Sequence, residues 1–173
     1  GAIISEYAKS YPNITFLKEE NMGCEKSFEY LYRYAFGNCN ADYYAYADQD
    51  DVWFLEKLKK SVDAISSERQ PALFCCNQVI TDGDLNPLKL MIEESAFNHI
   101  DEVQRINYLK NRHGCTMVWN HALMEILGKS VHNEVYTPGH DKWLMLLARC
   151  AGIVVSSKEP LQYYRVHGNN TSG

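Results

Sequence analysis

Apolar positions along the 173-residue chain alternate between a period of two and a period near 3.6, and the two periods follow one another in blocks. Ile14 to Leu17 predicts a short strand. After the turn-like Asn21-Met22-Gly23, the spacing of Phe28, Leu31, Tyr32, Ala35 and Phe36 predicts an amphipathic helix. Tyr43 to Ala47 predicts a buried strand that runs directly into Asp48-Gln49-Asp50-Asp51. Leu55, Leu58, Val62 and Ile65 form a helical stripe, Leu73 to Ile80 a strand, and Asp82-Gly83-Asp84 with Asn86-Pro87 a turn. Then come a helix-like Asp101 to Lys110, a strand at Cys115 to Trp119 and a helix from about His121. A further helix has Trp143, Leu146, Leu147 and Cys150 on one face, and strands follow near Ile153 to Val155 and Leu161 to Tyr164. Such alternation predicts an α/β sandwich with a largely parallel sheet, folded as one domain over residues 1–173, with ligands bound beyond the carboxyl ends of the strands. The acidic run after Ala47 falls in that place.

Composition narrows the partners. A formal net charge of -5 argues against a general nucleic-acid binder, and an anionic ligand would need a cation or a local arginine to hold it. No apolar run is long enough to cross a bilayer, and Gly1 to Glu6 lacks the regions of a signal peptide. Six cysteines without a CxxC pair read as free thiols of a cytoplasmic protein. In that compartment the sequons at Asn13-Ile14-Thr15 and Asn169-Asn170-Thr171 carry no glycan.

Three carboxylates within four residues repel one another unless something positive lies among them. Oxygens from Asp50, with Asp48, suit a hard divalent cation such as Mg2+ or Mn2+. The competing reading is a solvated turn whose aspartate caps the helix that follows.

The longer string Tyr43-Tyr44-Ala45-Tyr46-Ala47-Asp48-Gln49-Asp50-Asp51-Val52-Trp53, followed by Glu56-Lys57-Leu58, resembles the DxD segment of family 2 glycosyltransferases, most closely the bacterial rhamnosyltransferase-like members. Three further segments resemble the family in the same order. They are the Asn21-Met22-Gly23 turn, His113 to Asn120 followed by His140-Asp141-Lys142-Trp143, and Tyr163-Tyr164-Arg165-Val166-His167-Gly168-Asn169-Asn170. The resemblance implies a GT-A, Rossmann-like α/β/α sandwich whose first strand, first helix and second strand have no counterpart here. It also implies roles. Asp48 lies near the donor ribose, Asp50 binds the metal on the diphosphate, and His167 adds a metal or diphosphate contact. Arg165 is a phosphate or structural partner, Asn21 and Gly23 let backbone approach the nucleotide, and Asp141 is the general base. Asp51 assists or caps the helix.

The activity implied is inverting, metal-dependent transfer of a hexose, with rhamnose the sugar suggested, from a nucleotide diphosphate donor to a glycan or lipid-linked acceptor in surface polysaccharide synthesis. The setting implied is the inner face of the membrane, with peripheral contact through segments outside this chain. Asp141 also reads as a helix N-cap, and a helix amino terminus stabilises the negative charge that a base carries. Two rivals stay open. One is a sugar nucleotidyltransferase, although no Walker-type loop is present. The other is a non-catalytic carbohydrate-binding module in which Tyr43, Tyr44, Tyr46, Trp53 and Trp143 stack on sugars, where ordinary core packing is the plainer use of those rings.

Overall fold

The computed structural model describes residues 2–91, 112–131 and 139–168. Helix α1 (Ala2–Ser10) leads through a turn and an irregular segment to α2 (Cys24–Asn38), and β1 (Tyr43–Ala45) follows. The chain then forms β2 (Val52–Trp53), α3 (Lys57–Ile65) and the hairpin of β3 (Ala72–Thr81) with β4 (Pro87–Leu90). A 3-10 turn at Gly114–Thr116 opens into β5 (Met117–Asn120), then α4 (His121–Lys129), α5 (Gly139–Ala151) and β6 (Ile153–Arg165). The helix expected over Asp101 to Lys110 lies outside the described residues.

The sheet runs β1-β5-β3-β6-β2, with β4 on β3. β3 and β6 pair in parallel, and β1 shares their direction because both it and β3 are antiparallel to β5 between them. The α/β class stands as expected, and the sheet is mixed. β5 runs against its neighbours because the 3-10 turn delivers the chain to the sheet at the end where β1 finishes, so that Val118 lies across from Ala45.

Strand β3 is buried from Ala72 to Gln78, as a central strand covered on both faces must be. Its side chains alternate. Leu73 and Cys75 join Met117, Trp119, Leu123, Leu127, Leu144 and Tyr32 under α2, α4 and α5. Ala72, Phe74 and Cys76 meet Ile65 of α3 and Leu161 on the other side. The sandwich is therefore three layers. Burying each such aliphatic or aromatic side chain is worth about 1.5–3 kcal/mol.

Three local expectations change. Ile14 to Leu17 joins no strand of the described sheet: Ile14 N–H donates instead to the Tyr11 carbonyl at 3.0 Å, and Ile14, Phe16 and Leu17 are half-buried in a connecting segment. In α3 the apolar stripe is displaced: Leu55 is 100% exposed, while the buried row is Lys57, Ser61 and Ile65, the i, i+4, i+8 spacing of one helix face. The two strands expected between Ile153 and Tyr164 are one strand. It slips register against β3 between Cys75 and Val79, around Pro160, which has no N–H for a ladder. Asn77 Nδ2 fills the irregularity by donating to the Lys158 carbonyl at 3.2 Å.

The start of β6 is fixed by close backbone contact. Ile153 N–H donates to the Pro71 carbonyl at 2.9 Å, and a Cβ on Gly152 would lie 1.8 Å from that same oxygen. Because the obstruction is backbone, Gly152→Ala is expected to destabilise the fold by about 1–3 kcal/mol. Urea denaturation checks this, and an unchanged midpoint would mean the α5–β6 corner relaxes freely.

Candidate functional site

β1 ends at Ala45 at one edge of the sheet, and the residues after it cross to β2 at the opposite edge. Tyr46 anchors that segment. It is 5% exposed and packs its ring against Trp119 at 4.7 Å, Phe28 at 5.1 Å and His140 at 4.9 Å. With one side of the loop pinned into the core, Asp48, Asp50 and Asp51 occupy three different environments.

Asp50 meets His167 just past the end of β6. Oδ2 lies 2.8 Å from Nε2, and the side chains are 28% and 34% exposed respectively. Two residues separated by most of the chain thus converge on a half-open rim. Asp51 points inward. Its Oδ1 accepts from the Arg165 backbone N–H at 3.3 Å and its Oδ2 from Gln162 Nε2 at 3.1 Å, so Asp51 ties the acidic loop to β6. Arg165 makes this contact through its backbone, and its Nε is buried.

Asp48 is half-buried, with carboxylate oxygens of Asp48 and Asp51 and the Cys115 sulfur all within 4.8 Å of one another. Burial, together with the neighbouring Asp50 charge, pushes the Asp48 carboxyl up from its ordinary value of 3.8, against the opposing pull of a Cys115 hydrogen bond and of His140 and His113. Burial likewise raises Asp51, opposed by its Cys115 and Arg165 contacts. A carboxyl raised by folding favours the fold at pH values low enough to protonate it and weakens that support as pH climbs through the folded-state value. Asp48→Asn is therefore expected to raise the thermal midpoint at pH 7, with the gain disappearing below pH 3.8. Scanning calorimetry at both pH values checks this, and a lower midpoint at pH 7 would show that the charge supports the fold. Stability sacrificed for charge is usual where a site must bind.

Asp141 lies within the first turn of α5 rather than at its N-cap. Its Oδ1 accepts from the Lys142 N–H at 2.7 Å. A Cβ on Gly114 would come 2.7 Å from His140 Nε2 and 3.4 Å from Asp141 Cβ, so this end of α5 is seated directly on the turn before β5. The charges of Asp48 and Asp141 both act on Cys24 at the start of α2 and on His113. Just before α2, Asn21 Oδ1 accepts from the Gly23 N–H at 3.1 Å. Gly23 itself adopts φ 84° as the helix begins, a conformation that favours glycine.

Beneath these acids is a buried polar group that the spacing of residues did not reveal. Lys57 is fully buried, as is Gln162, and Gln78 is 1% exposed. Lys57 Nζ donates to the Cys115 carbonyl and to Gln162 Oε1, each at 2.5 Å, and lies 3.8 Å from the centroid of the Trp53 ring. Burial pushes its ammonium down to about 8, resisted by the surrounding cysteines and by Asp51 and Asp48. Gln162 Nε2 also donates to Gln78 Oε1 at 3.1 Å, and Gln78 Nε2 faces His113 Nδ1 at 3.0 Å. The signal available in sequence was the row of Lys57, Ser61 and Ile65 at helical spacing.

Two donor sets could hold a divalent ion. In the Asp48, Asp51 and Cys115 group, the thiol is fully buried and burial holds its proton on, which suits a hard cation poorly. The carboxylate and imidazole of Asp50 and His167 are neutral-sulfur-free, partly solvated and convergent, and they fit Mg2+ or Mn2+ better. The aromatic residues Tyr44 and Trp143 serve packing. Tyr44 stacks on Trp119 at 6.1 Å, and Trp143 Nε1 donates to Ser130 Oγ at 2.9 Å.

No helix among the described residues is long and apolar enough to cross a membrane. No curated protein matches the chain. The sequence pattern of glycosyl transferase family 2 matches residues 1–127, which takes in Asn21, Gly23 and all three acids of the loop and stops before Asp141, Arg165 and His167. Family 2 enzymes have the GT-A fold and transfer sugars from nucleotide-sugar donors, commonly with a divalent metal. With most of its length matched, the chain belongs to glycosyl transferase family 2 and is a glycosyltransferase.

Proposed function

We propose that the protein transfers a hexose, with inversion, from a nucleotide diphosphate donor held at Asp48, Asp50 and His167 to an acceptor hydroxyl activated by Asp141. The observation that carries the reading is the convergence of His167, at 2.8 Å, on Asp50, which lies in the same acidic loop as Asp48 and Asp51. A donor diphosphate is anionic, and an acidic loop accepts it only with a cation present. Asp50 and His167 hold that ion, Mn2+ in preference to Mg2+ because imidazole suits the softer metal. When bound, the ion supplies Lewis acidity to the leaving diphosphate.

The remaining chemistry belongs to the chain. Asp48 contacts the donor ribose, and the backbone at Gly23 lies against the nucleotide with Asn21 fixing the turn. Arg165 holds Asp51 and adds positive charge behind the phosphates. Asp141 takes the proton of the acceptor hydroxyl as its oxygen bonds to the anomeric carbon, while the carbon–oxygen bond to the diphosphate breaks and its electron pair leaves with the phosphate. A single displacement inverts that carbon. The inward packing of Tyr44, Tyr46 and Trp143 supports a transferase over a sugar-binding module, because the rings are spent on the core.

The resemblance to rhamnosyltransferases suggests a thymidine diphosphate–rhamnose donor and a lipid-linked glycan acceptor, worked on at the inner face of a bacterial membrane. Nucleoside diphosphate release, measured across a panel of nucleotide sugars with Mn2+, Mg2+ or chelator, tests the reading. Metal-dependent release from one donor, with an inverted product by NMR, is the expected result. Retained configuration would exclude direct displacement, and release of pyrophosphate from a nucleoside triphosphate would favour the nucleotidyltransferase.

A further inference from the structure

We propose that Lys57 is a positioning residue for the donor site, acting through Gln162 and Asp51 to hold the end of β6 where His167 meets Asp50; this rests on the transferase reading above. The argument is one of hydrogen-bond polarity. A lysine ammonium only donates, an ionised carboxylate only accepts, and a glutamine amide has one end of each kind. Gln162 lies between the two. Its Oε1 receives Lys57 Nζ at 2.5 Å, which forces Nε2 toward Asp51 Oδ2 at 3.1 Å and Gln78 Oε1 at 3.1 Å. Asp51 in turn receives the Arg165 N–H, two residues before His167.

The direction of every bond follows from the donor-only group at the bottom. Without it, Gln162 Oε1 is buried and unsatisfied, and the amide loses the donor that fixes its position. Its Nε2 is then held less firmly against Asp51, and the tie between the loop and β6 weakens. β2 supports the same point from the side, because Trp53 pairs with Gln162 across the ladder and its ring lies under the Lys57 ammonium at 3.8 Å. Lys57 is fully buried and does not touch the rim where Asp50 and His167 converge. It therefore works on the site only through its neighbours.

The test is calorimetric titration of the full chain with Mn2+, in the presence and absence of inorganic pyrophosphate. Wild type is compared with Lys57→Met, Gln162→Met, the double variant and Asp50→Ala. Loss of a supporting partner is expected to weaken Mn2+ by about 10- to 100-fold. Because both residues lie on one relay, the double variant should be no weaker than Lys57→Met alone. Thermal midpoints of each variant report on packing separately. Should Lys57→Met fail to fold, Gln162→Met breaks the same relay with the lysine in place and must show the same weakening. Lys57→Met binding Mn2+ within twofold of wild type, or losses that add in the double variant, overturns the proposal while leaving the donor site intact. Asp50→Ala binding Mn2+ like wild type overturns the metal assignment, and the proposal with it.

Discussion

Asp141→Asn is expected to lower kcat by about 100- to 10,000-fold, the range for losing a general base, with little change in donor affinity. Asparagine keeps the volume of the side chain and an oxygen for the Lys142 N–H, now 2.7 Å from Oδ1, so the first turn of α5 has every reason to stay folded. Only the ability to take a proton is removed. Asp141 lies in the first turn of α5, and His113 and Cys24 both feel its charge together with that of Asp48. A loss confined to kcat, with donor binding by calorimetry unchanged, is the signature of a group used in the transition state alone. A kcat within threefold of wild type would reduce Asp141 to an acid that complements the helix dipole. Because the family match ends at residue 127, the role of Asp141 rests on the resemblance of the His140-Asp141 segment, and the variant tests it directly.

The parts of the fold legible in sequence were those where one physical cause acts alone. Strand β3 reads as an apolar run because both its faces are covered, and the Asp82 turn reads from its acids and glycine, with Asp82 Oδ1 accepting from the Asp84 and Asn86 N–H groups at 2.9 Å each. The displaced stripe of α3 shows where hydrophobic periodicity ceases to decide which face is buried. Leu55 and Leu58 are apolar and look outward, whereas a lysine looks inward, because Lys57 finds two acceptors and an aromatic face in the interior and the leucines find no vacancy there. Hydrophobicity assigns a residue to a face only when no polar network claims the position. The same limit applied at the site. The convergence of Asp50 with His167 was suggested by the order of motifs, yet the inward turn of Asp51, one residue on, depends on Gln162 and Arg165 and had no signature in spacing. Asp48, Asp50 and Asp51 are chemically identical in the sequence. What separates them is the pinning of Tyr46 into the core and the arrival of β6 beside the loop.

That separation predicts different failures for neighbouring acids. Asp50→Ala is expected to reduce turnover by roughly 1,000-fold, since several kcal/mol of stabilisation of the leaving group is at stake and about 1.4 kcal/mol corresponds to tenfold. Raising the metal concentration should not restore it if, as proposed, the carboxylate is the anionic anchor of the ion. His167→Ala should be milder and partly rescued by excess metal. It should also change selectivity: with the imidazole gone, the remaining oxygen ligands lose their bias for Mn2+, and the ratio of activity in Mn2+ to activity in Mg2+ should fall. Initial rates measured against metal concentration for both ions give the ratio directly. An unchanged ratio in His167→Ala would remove the histidine from the metal and leave it as a hydrogen-bond partner of Asp50, at the 2.8 Å separation seen here. Turnover of Asp50→Ala restored by excess Mn2+ would point instead to Asp48 and Asp51 as the anchor, the alternative that their proximity to Cys115 provides.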